Sequence, residues 1–197
     1  MSKDIINKSI INNDTKVNKE ETHKYHVIQL DDNEANPLRL ENQSVANAEF
    51  GSEELLSFIK NMKSEATKDH DGVAIAAPQL GVNKRIFVIA ERSYKDGQKW
   101  KPEVFINPQI VDSSQKMVSV QEGCLSVRGI YGRTDRYKNI TVNAYDEMGN
   151  KFTYGAGGLI AHIIQHECDH LDGILFIDHG YELEEYDHRK APPHTHE

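Results

Sequence analysis

Leu159-Ile-Ala-His-Ile-Ile-Gln-His-Glu-Cys-Asp-His-Leu171 is the stretch from which the rest of the chain is read. Leu159, Ile160, Ile163 and Ile164 predict a buried helix, and Gly173 marks its end. On a helix His166 and His170 share one face, about 40° apart and about 6 Å along the axis. Both imidazoles can then reach one cation. Glu167 follows the first histidine directly and has no room to bind the same ion, so it is left to hold a water that the ion activates. Cys168 falls about 200° around the helix from His166 and points away, as a buried inert thiol would. A carboxylate and two imidazoles in an apolar helix are costly unless paired or metal-bound. The bland alternative is two surface histidines on an ordinary helix, since short HExxH matches also arise by chance.

Around this helix the pattern is of strands. Residues 139–145 and 151–154 predict a hairpin across Asp146-Glu-Met-Gly-Asn150, and Gly155 to Gly158 separate it from the helix. Residues 174–177 (Ile-Leu-Phe-Ile) predict a final strand. Upstream, Arg85-Ile-Phe-Val-Ile-Ala90 is the strongest strand signal, with further strands at residues 104–106 and 117–120 and a short one at 27–30. Glu122-Gly-Cys-Leu-Ser126 interrupts that pattern. Ser52 is placed to cap a helix whose first turn carries Glu53 and Glu54; Leu55, Ile59, Met62 and Ala66 give it one apolar stripe to near Lys68. The order is helix, strands, late helix, strand. The expected fold is α+β, with mostly antiparallel sheets around a buried metal-binding helix.

Composition sets outer bounds. At 197 residues the chain suffices for one domain with a core. Residues 1–24 read as a mobile, Asn- and Lys-rich extension, residues 25–179 as the catalytic unit, and residues 180–197 as a polar tail. The formal net charge of −8 argues against DNA as a partner, because neutralising phosphates needs clustered Lys and Arg. Two cysteines do not make a disulfide framework, so a reducing compartment is expected. No apolar run approaches the ~18 residues of a membrane span, and the first residues lack a signal-peptide core. A cytoplasmic location away from membranes is the expectation.

A catalytic site of this kind usually has a third protein ligand. The longer HExxHxxGxxH pattern fails, because Phe176 stands where its last histidine belongs. Glu182, Glu184 and Glu185 lie in an acidic run of the kind usually found on a solvated face. His162 shares the helical face, but lies about 12 Å along the axis from His170, so it is better placed to line a pocket. Cys124 remains, in a glycine-containing segment where a thiolate can be aimed freely; its alternative is a buried inert thiol.

Three segments together resemble one family. Gly72-Val-Ala-Ile-Ala-Ala-Pro-Gln79, Glu122-Gly-Cys-Leu-Ser126 and Gln165-His-Glu-Cys-Asp-His-Leu-Asp-Gly173 are similar, in order, to the three signature motifs of peptide deformylases. The resemblance covers residues 25–178 and implies the following roles. Cys124, His166 and His170 bind one divalent metal, typically Fe2+, with Zn2+, Ni2+ or Co2+ able to replace it. Glu167 is the general acid/base. The Gln79 amide and the Leu125 backbone N–H hold the oxyanion. The substrate is the formyl-methionyl end of a nascent peptide, released as formate and a free amine, with transient ribosome association.

An extended peptide would pair with main chain near Val73 and Gly123 by strand addition, its methionine side chain resting on Val73 and Ile163 with His162 beside it. The chain departs from the pattern in places. Ala74 stands where a second glycine is usual, and its methyl is expected to narrow the cleft. His162 replaces an aliphatic residue or arginine. The tail is acidic where some relatives carry a basic helix. Arg136 is a candidate ion-pair partner for Asp169. The other readings are a zinc peptidase cutting internal bonds and a structural metal protein, which would need a fourth protein ligand and no catalytic carboxylate.

Overall fold

The computed structural model describes residues 25–30, 36–68 and 72–185. The predicted N-terminal extension, and residues 186–197 of the predicted tail, lie outside the described residues. Helix α1 (Glu53–Lys68) begins as its sequence dictates: the Ser52 hydroxyl accepts the Leu55 N–H at 3.2 Å, with Glu53 and Glu54 in the first turn. Its stripe of Leu55, Phe58, Ile59, Met62 and Ala66 is buried against one face of a sheet that includes Ile75, Ile86, Val88 and Val104.

That sheet has five antiparallel strands in the order β1-β2-β3-β6-β7. They are β1 (Ala74–Ala76), β2 (Ile86–Ile89), β3 (Val104–Ser113), β6 (Asn139–Tyr145) and β7 (Lys151–Gly157). Its other face carries Phe87, Phe105, Val142 and Ala156 against the second helix, α2 (Leu159–Leu171). Phe87 and Phe105 face each other across β2 and β3 and stack at 4.6 Å, with Phe152 edge-on to Phe105. Phe105 is fully buried. Phe105→Ala should therefore cost about 3–5 kcal/mol, read as a lower urea midpoint at unchanged slope.

A second antiparallel sheet has the order β4-β5-β8, from β4 (Met117–Cys124), β5 (Val127–Tyr137) and β8 (Tyr181–Glu185). Helix α2 packs on β1, β2 and β7 of the large sheet and touches β5 of the small one. The Gln165 amide fixes that second contact: its oxygen accepts the Tyr137 N–H at 2.9 Å and its nitrogen donates to the Tyr137 carbonyl at 3.0 Å. At the far end the Asn42 side chain donates to the carbonyls of His170 and Leu171, both at 3.3 Å, which satisfies acceptors left over at a helix C-terminus. Helix α2 is thus pinned at its middle and at its C-terminal end.

The α+β class with antiparallel sheets is as expected, and several elements differ from the sequence reading. Residues 27–30 form no strand. They are an irregular strap whose N–H groups are taken by loop carbonyls. Residues 174–177 are no strand either, because the Asp178 carboxylate accepts the Leu175 N–H at 2.8 Å and closes a 3-10 turn over Phe176–Asp178. Strand β8 lies in the stretch read as a tail and pairs with β5; its side chains are all exposed, with the Tyr181 hydroxyl donating to Asp135 at 3.2 Å. Glu122 to Cys124 do not leave the strand pattern; they finish β4, with a register shift at its tip. Leu159, expected in the core, is 56% exposed, whereas Ile160, Ile163 and Ile164 are buried. The Ala74 methyl joins the core beneath α2 and does not narrow the cleft.

Candidate active site

Two elements meet to make the site. Helix α2 brings His166, Glu167 and His170, and the β4–β5 hairpin tip brings Cys124. The Cys124 Sγ lies 3.2 Å from His170 Nε2, and one donor atom each from Cys124, His166 and His170 falls within 4.8 Å of the others. Among the described residues no other three His, Cys, Asp or Glu side chains converge in this way. The set suits one divalent ion. Bonds of ~2.3 Å to sulfur and ~2.0–2.1 Å to nitrogen at a tetrahedral angle place S and N about 3.6 Å apart, close to what is seen. Burial drives the His170 imidazole well below its ordinary value, leaving the neutral ring that can act as a ligand. Cys168 is buried in the core under α2, and burial pushes its thiol above the usual range. Glu182, Glu184 and Glu185 lie out on β8, and Phe176 packs its ring on His166.

The His166 ring is aimed by residues around it. Its Nδ1 meets the Glu122 carboxylate at 2.9 Å, which turns Nε2 towards Cys124 and His170. Glu122 is itself gripped by Arg136, from Nε at 2.7 Å and Nη2 at 3.0 Å, and by the Thr134 hydroxyl at 2.6 Å. Burial alone would raise the Glu122 carboxyl. The hydrogen bonds and charges of His166 and Arg136 outweigh it and hold the group well below the usual carboxylate range. Arg136 also pairs with Asp169 on α2 at 2.6 Å, as the sequence suggested. Glu122 was not singled out in the sequence; its signal was an acid immediately before Gly123-Cys124, where a ligand's neighbour can support the opposite ligand.

Glu167 is 4% exposed, and its Oε2 has no partner among the described residues. Burial pushes its carboxyl up to about 7, against the lowering effect of the adjacent His166. Gln79 has a fixed amide. Its oxygen accepts the Ala76 N–H at 2.8 Å, so its NH2 faces Ser126 Oγ at 3.2 Å and Cys124 Sγ at 3.6 Å. Val73, Gln79, Gly123, Leu125, His162 and Ile163 share with Glu167 the wall of a cleft of about 210 Å³. Hence every residue proposed for the site is brought to one place. His162 borders that cleft, and its Nε2 is buried without a partner among the described residues. Burial lowers its imidazole. Past Val73, Gly123, Cys124 and Leu125 the cleft continues into a cavity of about 590 Å³ that reaches Tyr131. A Cβ at Gly123 would meet the Tyr131 ring at 2.7 Å, so a larger residue there would have to displace that ring.

Comparison with known proteins agrees with this geometry. Residues 24–186 match the family model for polypeptide deformylase. The curated peptide deformylase of Borreliella burgdorferi is 44% identical over 108 residues, which are 55% of this chain and 62% of that protein. That of Pseudomonas aeruginosa is 44% identical over 115 residues, 58% of this chain and 66% of that one. The alignment thus spans somewhat under two thirds of the length of these relatives. Among solved structures, the actinonin-bound class I type b peptide deformylase of Acinetobacter baumannii superposes with a TM-score of 0.69 at 31% identity. The superposition covers 78% of this chain and 96% of that one. The peptide deformylase of Thermotoga maritima superposes at 0.68 and 32%, covering 79% and 96%. A match over most of the chain, together with these folds, decides the matter: the chain belongs to the polypeptide deformylase family.

Proposed function

We propose that the chain is a metal-dependent hydrolase that removes the formyl group from the N-terminal formyl-methionine of nascent peptides, releasing formate and a free amine. The observation that carries this reading is the convergence of Cys124, His166 and His170, with the buried carboxylate of Glu167 beside them and the Gln79 amide turned towards the same point. Cys124, His166 and His170 would hold the ion. Ferrous iron is the proposed resident, with zinc, nickel or cobalt able to substitute. A divalent ion in this position supplies a Lewis acid that brings the pKa of water from ~15.7 towards ~7 and polarises a carbonyl.

The remaining work falls to side chains and backbone. Glu167 accepts a proton as water oxygen adds to the formyl carbon. It returns that proton to the amine nitrogen as the C–N bond breaks, so charge and atoms balance across the step. Oxygen charge that develops on the formyl group is met by the Gln79 amide and the Leu125 N–H. Gln79 is neutral, so it donates there without competing for the ion. Main chain near Val73 and Gly123 aligns the peptide as an added strand, and the methionine side chain lies against Val73 and Ile163 with His162 at its edge. Transient contact with the ribosome belongs to this reading, since its substrate emerges there. Strand β8 carries Glu182, Glu184 and Glu185, so it offers no basic surface for that contact.

Formyl-Met-Ala-Ser and unformylated Met-Ala-Ser, each incubated anaerobically with the ferrous-loaded protein, distinguish the readings. Formate should appear from the first peptide, and the second should remain intact. Cutting of internal bonds without formate would replace the reading with a zinc peptidase. A firmly held ion with neither activity would replace it with a structural metal protein.

A further inference from the structure

The irregular strap at residues 27–30 does more than cover the core. The Ile28 N–H donates to the Gln79 carbonyl at 2.8 Å, and the Leu30 N–H donates to the Ser126 carbonyl at 2.9 Å. Between them the Gln29 amide donates to the Leu125 carbonyl at 3.0 Å. The strap therefore bridges the 3-10 helix that carries Gln79 and the β4–β5 turn that carries Leu125, two connections far apart in sequence that serve different sheets. The Ser126 N–H, on the other side of the Leu125 carbonyl's peptide unit, points to Cys124 Sγ at 3.4 Å. That unit is held at its oxygen by Gln29 and at its nitrogen by the candidate metal ligand, and it fixes through the Leu125 Cα the preceding unit, which carries the Leu125 N–H. Gln79 is likewise held twice: at its backbone by Ile28, and at its side-chain oxygen by Ala76.

We infer that Gln29 is a positioning residue that sets the separation and aim of the two oxyanion donors. This rests on the proposed roles of Gln79 and Leu125. The reason is geometric: a donor to developing charge is effective only if it stands where that charge will be, and a small misplacement is expensive in rate while leaving ground-state binding almost intact. Gln29 is not itself part of the wall of the cleft and reaches it through the Leu125 carbonyl. Losing its N–H should relax the Leu125 peptide while the cleft walls stay in place.

Gln29→Met removes the N–H at nearly the same length. With formyl-Met-Ala-Ser and the metal-loaded full chain, kcat should fall about tenfold, the effect of one lost hydrogen bond, with KM within about twofold. Metal content and Tm should match those of the parent. Gln29→His, which can still donate an N–H, should recover most of kcat. Unchanged kcat in Gln29→Met overturns the inference, as does a fall in kcat matched by an equal loss of bound metal or by a large drop in Tm. If the parent chain itself releases no formate, it is the proposed activity that fails, and the two failures are told apart by that one control.

Discussion

Glu167→Gln should retain its metal and lose about 10²–10⁴-fold in the rate of formate release from formyl-Met-Ala-Ser. The side chain is buried, one of its oxygens has no partner among the described residues, and it follows a candidate ligand directly. A glutamine has the same shape and fills the same space, so packing is preserved. What it lacks is a site that can accept a proton and give it back. Burial pushes the carboxyl up to about 7, which places proton uptake and release within reach of neutral pH, where transfer in both directions is efficient. The loss should fall on kcat, because the residue acts while bonds are changing and does little for ground-state binding. Elemental analysis beside the kinetics completes the test: turnover equal to the parent's in a fully loaded variant would remove Glu167 from the mechanism.

Cys124→Ala carries the second large effect. Its sulfur is the only donor of the three that comes from outside α2, and with it gone two imidazoles on one helical face remain. Losing an outer-shell partner of a ligand typically costs 10–100-fold in metal affinity, so losing the ligand itself should exceed that. Purified variant protein should contain well below one ion per chain and release almost no formate, while its near-ultraviolet spectrum and Tm stay close to those of the metal-stripped parent. Occupancy equal to the parent's would exclude Cys124 as a ligand and reopen the search for a third donor.

Local physics made parts of this molecule readable in the sequence. The span of α2 follows from Ile160, Ile163 and Ile164 recurring at helical spacing and from Gly173, whose φ of +75° suits the chain's exit from the helix. Helix α1 is fixed by Ser52 and its stripe, and the β6–β7 hairpin by its turn. Strand β5 was missed for a physical reason. Its inward positions towards the end are Gly132, Thr134 and Arg136, where a half-buried strand would show aliphatic residues. Arg136 has no apolar character to mark it as inward, although it was a candidate partner for Asp169. It is buried because Glu122 and Asp169, from another strand and from α2, neutralise it. Strand β8 was missed because its five residues are all exposed and three of them are acidic, which reads as a solvated run. The candidate ligands and the candidate acid were picked out by spacing and motif. The support around them was not, since Glu122, Thr134 and Gln29 act through contacts that cross the fold.

The grip of Arg136 on two carboxylates bears on how the protein lives with its ion. The bonds that aim His166, hold Gln79 and pin the middle and C-terminal end of α2 run from protein to protein. The framework thus keeps its shape from its own cohesion, unlike small zinc modules that collapse when stripped. Occupancy then becomes a matter of exchange with the surroundings. A chain emptied of its ion is then an intact vessel, ready to be refilled.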